Sequence, residues 1–238
     1  MNESRKYIDI VIPFHNEYLN LKILLPKLYK VVKKIRQIKF RIIFINDGSS
    51  DNGQIFIKKF TKKNKNCHLL NNTKRLGQTY SYAKYLKNFK SEYFIRMDAD
   101  NQDNPIHIIK FAKLILMGYD LILTERKLRK HSIYMILLTF FYNKLISMLV
   151  KKKLANYSSS LAGFRRKYIS SLNLRNNDHR YLPIISIENG AKKIKLFSVL
   201  HQKRIYGSTK YGMSKKVVLA LPEFLNFFYR LKTGVYKI

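Results

Sequence analysis

Tyr93-Phe94-Ile95-Arg96-Met97-Asp98-Ala99-Asp100-Asn101-Gln102-Asp103-Asn104-Pro105 carries a strand, an acid pair and a helix start in thirteen consecutive positions. The short run from Tyr93 to Met97 reads as a buried strand, and it ends in two aspartates spaced i, i+2. Side chains at that spacing leave a strand on the same face, so both carboxylates address one spot. Asn104 then offers a helix cap and Pro105 the favoured first helical position. Acids at the carboxyl end of a strand, followed directly by a helix, stand where α/β sheets hold ligands. Two carboxylates in close quarters repel unless a cation or a proton lies between them. A hard divalent cation that also grips a substrate phosphate suits that place.

Working outward, composition argues that these acids are placed rather than scattered. The 238 residues hold 47 Lys+Arg against 14 Asp+Glu, a formal net charge of +33. Glu17, Asp47, Asp51, Asp98, Asp100 and Asp103 nevertheless all fall just beyond predicted strands. The positive excess draws polyanions such as nucleic acid, anionic lipid headgroups or phosphorylated substrates. Much of it is single lysines along helices, which is the ordinary solvated face. A hydrophobic fraction of 46% excludes a disordered chain. Cys67 is the single cysteine, which excludes a disulfide framework and a cysteine-based zinc cluster. The polar start Met1-Asn2-Glu3-Ser4-Arg5-Lys6 predicts no signal peptide, and no stretch reaches the roughly 18 apolar residues that span a bilayer.

Ahead of the acid pair, strands and helices alternate. Ile8 to Pro13 is an apolar strand followed by the loop Phe14-His15-Asn16-Glu17. Leu21, Leu24, Leu25, Leu28, Val31, Val32 and Ile35 then recur at helical spacing. Phe40 to Ile45 is a second strand, ending in Asn46-Asp47-Gly48-Ser49-Ser50-Asp51, where Ser50 or Asp51 can cap the next helix. Cys67 to Leu70 is a weaker strand, and Leu76-Gly77 precedes another helix. After the acid pair come a helix from Pro105 to Met117, stopped by Gly118, and the strand Leu121-Ile122-Leu123. This alternation predicts an α/β fold with a mostly parallel sheet flanked by helices. Glu17, Asp47, Asp98 and Asp100 would then line one crevice. Neither G-x-G-x-x-G nor G-x-x-x-x-G-K-[ST] occurs, which argues against dinucleotide cofactors and P-loop chemistry.

The second half differs. Ile133 to Val150 and Val217 to Tyr229 are apolar and aromatic, and Lys151-Lys152-Lys153 closes the first. Each reads either as a helix lying in a membrane interface, near 133–150 and 214–230, or as an ordinary buried core helix, and two such pieces in one half favour the membrane. Taken alone, His15, His68, His107 and His131 read as solvated or structural.

Several segments together resemble glycosyltransferase family 2. Ile10-Val11-Ile12-Pro13-Phe14-His15-Asn16-Glu17 resembles its opening strand and N-E loop, and Asn46-Asp47-Gly48-Ser49-Ser50-Asp51 its D-D-G-S-x-D segment. Asp98-Ala99-Asp100-Asn101-Gln102 resembles the D-A-D-x-Q form of the DXD motif in the dolichol-phosphate mannose synthase branch. Gly163-Phe164-Arg165, His179-Arg180-Tyr181-Leu182-Pro183 and the stretch from His201 to Gly212 are similar to later segments of polyprenyl-phosphate glycosyltransferases.

The resemblance implies a single GT-A domain over residues 1–238, with a nucleotide-sugar-binding half at 1–125 and an acceptor half at 126–238. It implies metal-dependent, inverting transfer of a sugar from a UDP- or GDP-sugar to a polyprenyl phosphate, dolichyl or undecaprenyl. Pro13, Phe14, Glu17 and Asp47 would bind the nucleotide. Asp98, Asp100 and Gln102 would face Mg2+ or Mn2+. Arg126, Arg129, Arg204 and Lys210 would meet the acceptor phosphate, with Arg126, Arg204 and Lys210 counted beside Asp98 and Asp100 in the catalytic set. The expected setting is the cytoplasmic face of a membrane, held peripherally by the two amphipathic pieces or by a separate membrane protein subunit.

The sequence departs from the family pattern at Asn46, which replaces the first acid of the D-D-G-S segment. It departs again at Asn156-Tyr157-Ser158-Ser159-Ser160-Leu161-Ala162, which lacks the acid the family usually has before G-F-R. Two other classes are compatible with parts of the sequence. One is a family 2 enzyme acting on a soluble or cell-envelope glycan, which would want a carboxylate base near the acceptor. The other is a nucleic-acid-binding module, against which the ordered acidic strand ends argue.

Overall fold

The computed structural model of the chain describes residues 7–127, 144, 159–170, 173–175, 177–200, 202, 204–206 and 213–238. The first half alternates as its periodicity dictates: β1 (Tyr7–Phe14), α1 (Tyr18–Lys34), β2 (Lys39–Asp47), α2 (Gly53–Lys63), β3 (Cys67–Asn72), α3 (Gln78–Asn88) and β4 (Tyr93–Arg96). A 3-10 turn (Pro105–His107), α4 (Ile108–Leu116), β5 (Leu121–Lys127), β6 (Ala162–Arg165), α5 (Leu182–Glu188), β7 (Ile194–Leu200) and α6 (Met213–Lys232) follow. Among the described residues one sheet forms, in the order β3-β2-β1-β4-β6-β5-β7.

The strands β3, β2, β1 and β4 pair in parallel, and β5 pairs in parallel with β7. Only β6 runs against its neighbours β4 and β5. The sheet is therefore mostly parallel, as expected, with one inverted strand joining its two parallel blocks. Parallel strands are covered on both faces, which is why β1 buries Ile8, Ile10, Val11 and Ile12 completely rather than alternating. Ile10 and Ile12 pack with Leu21, Leu24, Leu28 and Phe111 on the face that carries α1 and α4. Val11, Ile43 and Ile45 turn the other way, onto Tyr82, Tyr85, Leu182 and Phe227 from α3, α5 and α6.

Gly163 shows why the inverted strand needs a glycine. A Cβ there would come within 2.8 Å of the Phe111 ring, so the backbone of β6 lies directly under α4. The helix expected from Pro105 to Met117 is in fact a 3-10 turn running into α4. Asn104 caps the turn through Oδ1, which accepts from the Ile106 N–H at 3.0 Å.

The expected interfacial helix near 133–150 lies outside the described residues. The stretch 214–230 falls within α6, and where its side chains are described it turns an aromatic face onto the domain. Phe224 and Phe227 are fully buried, and Tyr181 stacks on Phe227 at 4.1 Å. Leu225 and Tyr229 stay exposed on the other side. Arg230 and the Tyr236 hydroxyl both bind buried Asp178, at 2.7 and 2.6 Å, which fastens the helix end to the turn before α5. No described helix is long and apolar enough to cross a membrane.

Truncation of a ring buried this fully removes its transfer energy and leaves a cavity. Phe227→Ala should cost about 3–5 kcal/mol in chemical unfolding. Unchanged stability would mean that this part of α6 is not held by the core.

Candidate active site

Parallel pairing of β2, β1 and β4 brings their carboxyl ends to one edge, and a cleft of about 290 Å³ opens there. Pro13, Phe14, His15 and Glu17 line it from β1, and Asp47 from β2. Asp98, Ala99 and Asp100 line it from β4, with Arg75, Gly77 and Gln78 on one rim and Arg204 on another. The four acids expected to share a crevice do share it.

Each acid is held differently. The Met97 N–H still donates to the Val11 carbonyl at 3.1 Å, so the chain leaves the sheet only at Asp98. Asp98 accepts from Gln78 Nε2 at 3.4 Å, and Asp100 Oδ1 accepts from the Gln102 N–H at 3.2 Å. Asn101 adopts φ 60° and anchors this turn by donating to the Asn20 carbonyl at 2.7 Å. Asp103 is buried, and its Oδ2 accepts from Ser160 Oγ at 2.6 Å. That bond ties the acid-bearing turn to the segment leading into β6. Gln102 contributes backbone contacts: its carbonyl accepts from the Gln202 N–H at 2.9 Å, and the side chain is not part of the cleft lining.

Asp47 is nearly inaccessible. Its carboxylate accepts from the Leu76 N–H at 2.8 Å, the Gly77 N–H at 2.9 Å and Asn72 Nδ2 at 3.0 Å. It thus braces the loop before α3 and forms the floor of the cleft. The N-cap of α2 is Asn52 rather than the expected Ser50 or Asp51, but Asp51 still reaches the helix's first residue, through Oδ1 to the Gly53 N–H at 2.9 Å. Its Oδ2 also accepts from the Tyr18 N–H at 2.8 Å, so one carboxylate serves the amino ends of two helices. Asn46 packs locally instead of replacing an acid's charge: its Oδ1 accepts from the Ser49 N–H at 2.9 Å.

Glu17 and Arg204 form an ion pair at 2.5 Å across the cleft, and Asn20 donates to the second Glu17 oxygen. Asn20 also donates to the Tyr206 carbonyl at 3.3 Å. With the Gln202–Gln102 bond, these contacts lay Gln202 and residues 204–206 along the cleft. Arg126 stands on β5 with its backbone opposite Val199 of β7, and its side chain lies outside the described residues, as do Arg129 and Lys210.

Three lining residues carried no signal strong enough to single them out. Arg75 lies in a loop beyond the sheet's edge strand, in a sequence with dozens of basic residues. The available hint was Gly77 at the start of α3, the position where a ligand approaches a helix amino end. Gln78 is the next residue and shares that hint. His15 reads as structural in sequence; it bonds the Asp47 carbonyl at 2.9 Å and faces the cleft as well. Gly48, at φ 64°, lets the two loops cross: a Cβ there would sit 2.5 Å from the Arg75 nitrogen.

Behind Asp98 lies a buried polar group. His179 bonds Thr79 Oγ1 at 2.7 Å and stacks near Tyr82, with ring centroids 6.3 Å apart. Burial, then the positive charges of Arg96 and Arg180, pull its pKa down to about 3.

The acid set fits a divalent cation bound together with a diphosphate. Among the described residues no three His, Cys, Asp or Glu side chains gather to hold an ion by themselves. Asp98 and Asp100 supply two carboxylates to one cleft, and a hard octahedral cation commonly takes one or two carboxylates with substrate phosphates and water.

Residues 9–172 match the model of glycosyl transferase family 2. The chain belongs to this family. It is 25% identical over 218 residues to an undecaprenyl-phosphate 4-deoxy-4-formamido-L-arabinose transferase of Photorhabdus laumondii, covering 91% of this chain and 66% of the relative. The corresponding transferase of Serratia proteamaculans is 28% identical over 220 residues, with coverages of 91% and 66%. The chain therefore spans about two thirds of the length of these relatives. Among solved structures, glucosyl-3-phosphoglycerate synthase from Mycobacterium tuberculosis, in complex with Mn2+, UDP and glucosyl-3-phosphoglycerate, superposes with a TM-score of 0.67. Its identity is 14%, over 92% of this chain and 80% of that one. A mannosyltransferase from Pyrobaculum calidifontis, in complex with GDP-Man and Mn2+, gives a TM-score of 0.57 at 15% identity, over 86% and 59%. The fold is GT-A, as expected of a family 2 chain.

The buried imidazole has a consequence for stability. Below pH 6.5 the unfolded chain protonates His179 while the folded chain keeps it neutral down to about pH 3. Protons therefore favour unfolding over that window, by up to about 1.4 kcal/mol per pH unit from this residue. Urea melts between pH 6.5 and 5 should show stability falling with acid. His179→Gln should flatten the slope, and an unchanged slope would remove His179 as its source.

Proposed function

We propose that this family 2 chain is a glycosyltransferase that moves a sugar from a nucleotide sugar, UDP- or GDP-linked, to a polyprenyl phosphate at a membrane surface. The supporting observation is the single cleft that gathers Glu17, Asp98 and Asp100 with Arg75 and Arg204 at the carboxyl ends of three parallel strands. The undecaprenyl-phosphate transferases among its relatives support the acceptor class.

In this reading Pro13, Phe14 and Glu17 flank the nucleoside above the floor made by Asp47. Asp98 and Asp100 would hold Mg2+ or Mn2+, whose chemistry is to neutralise charge on the departing diphosphate. Arg204 and Arg75 sit where phosphate oxygens would arrive, and a guanidinium offers them a bidentate fork. Arg126, Arg129 and Lys210 remain the candidates for the acceptor phosphate.

That phosphate is already an anion. One of its oxygens attacks the anomeric carbon, the bond from that carbon to the diphosphate oxygen breaks, and the electron pair leaves with the nucleoside diphosphate. A single displacement inverts the anomeric centre and needs no general base. The cleft agrees with this requirement: Asp47 is bonded to backbone amides and Glu17 to Arg204. The net charge of +33 favours an anionic lipid surface as the setting, on the cytoplasmic face.

The test offers a panel of labelled nucleotide sugars with undecaprenyl or dolichyl phosphate and Mn2+. A lipid-linked sugar phosphate is the expected product. Transfer only to a water-soluble glycan would replace the acceptor class. Asp100→Ala should lower turnover at least a hundredfold while circular dichroism and melting stay unchanged. Normal turnover would remove the assigned cation role.

A further inference from the structure

Arg96 lies two residues before Asp98 and is only 4% exposed. A desolvated guanidinium is costly, and buried arginines are ordinarily met by a carboxylate. Arg96 is not. Its Nη1 donates to the His179 carbonyl and its Nη2 to the Ser159 carbonyl, while Nε has no acceptor. Its planar head lies 5.8 Å from the centroid of the Phe164 ring. Among the described residues these contacts include no ion pair.

The surroundings do not cancel the charge either. His179 is neutral, and the Tyr82 hydroxyl is buried without a partner. After burial itself, the Tyr82 phenol feels Arg96 and Asp98 with opposite signs, so both charges act on that one hydroxyl. Alternation along the strand puts Arg96 and Asp98 on the same face. In sequence, residues 156–162 contain no acid, where the family usually has one before G-F-R.

We infer that Arg96 is a positioning residue whose unneutralised charge makes cation binding at Asp98 and Asp100 conditional on the diphosphate. This rests on the reading of those two aspartates as the cation's ligands. A divalent ion arriving alone meets two carboxylates and, behind them, a guanidinium that repels it. A diphosphate adds negative charge on the cation's far side, and Arg96 then attracts the incoming complex. The same residue weakens binding of the bare cation and strengthens binding of the negatively charged cation–diphosphate complex, so the cation enters with the donor rather than ahead of it. Its two carbonyl bonds also join β4 to the 159 and 179 segments, so the charge is held at a fixed place.

The deciding measurement follows free Mn2+ by electron paramagnetic resonance with the wild type, Arg96→Gln and Arg96→Lys, without nucleotide and with UDP or GDP. Arg96→Gln should bind Mn2+ alone about tenfold more tightly than the wild type and bind the Mn2+–diphosphate complex more weakly than the wild type does. Arg96→Lys keeps the charge but not the fork, and should match the wild type within twofold. A purely structural arginine predicts the reverse: weaker Mn2+ binding in both variants, or none of these shifts, and either result overturns the inference. Should Arg96→Gln not fold, the lysine variant decides alone, with a change beyond twofold counting against the charge. A folded wild type that binds no Mn2+ with either diphosphate would sink the ligand reading of Asp98 and Asp100, and this inference with it. Binding in the wild type that Arg96→Gln leaves unchanged sinks only the role of Arg96.

Discussion

Parallel pairing of β1 with β2 on one side and β4 on the other is the constraint on which the site depends. It forces three strand ends to the same edge, so acids far apart in sequence meet in one cleft. Convergence of like charges is unfavourable unless each is compensated. The protein compensates them unequally. Asp47 is held by backbone N–H groups and Glu17 by Arg204, while Asp98 accepts from Gln78 and Asp100 from the Gln102 N–H at the cleft lining.

The same scarcity of acids shapes the rest of the molecule. Two fully buried aspartates away from the cleft are held by one device, an arginine and a tyrosine together. Asp9 accepts from Arg41 Nε and Nη2, at 2.7 and 3.0 Å, and from the Tyr85 hydroxyl at 2.9 Å. Asp178 takes Arg230 and the Tyr236 hydroxyl. A charged partner plus a hydroxyl satisfies a desolvated carboxylate better than either alone. Arg96 breaks the pattern, because among the described residues it is a buried cation whose hydrogen bonds go only to carbonyls and whose other close contact is the Phe164 ring. The exception stands where an anionic substrate is expected, and a site is the one place where an unmatched charge serves a purpose.

Membership in family 2 and the GT-A fold agree with this architecture, yet the chain solves parts of it in its own way. The Asp103–Ser160 bond joins the acid-bearing turn to the lead-in of β6, through a serine in the stretch that lacks the family's acid. Asn46 keeps the shape of its loop with an amide where the family has a second carboxylate. Both changes lower negative charge around the cleft, in the direction that makes an uncompensated Arg96 more influential.

Much of this was determined by local sequence. Strand and helix alternation follows from period, and the placing of Glu17, Asp47, Asp98 and Asp100 follows from where each apolar run stops. Asn104 and Pro105 announce a helical start in the same local way. Only the tertiary structure decided the inversion of β6, which nothing in Ala162-Gly163-Phe164-Arg165 distinguishes from a parallel strand. It also decided that Arg75 faces the cleft, that His179 is buried and neutral, and that the described half of α6 turns Phe224 and Phe227 inward. The Glu17–Arg204 pair joins residues 187 positions apart. Periodicity reports which face of an element is apolar. It does not report what that face meets, because the partner is chosen by the packing of the whole sheet.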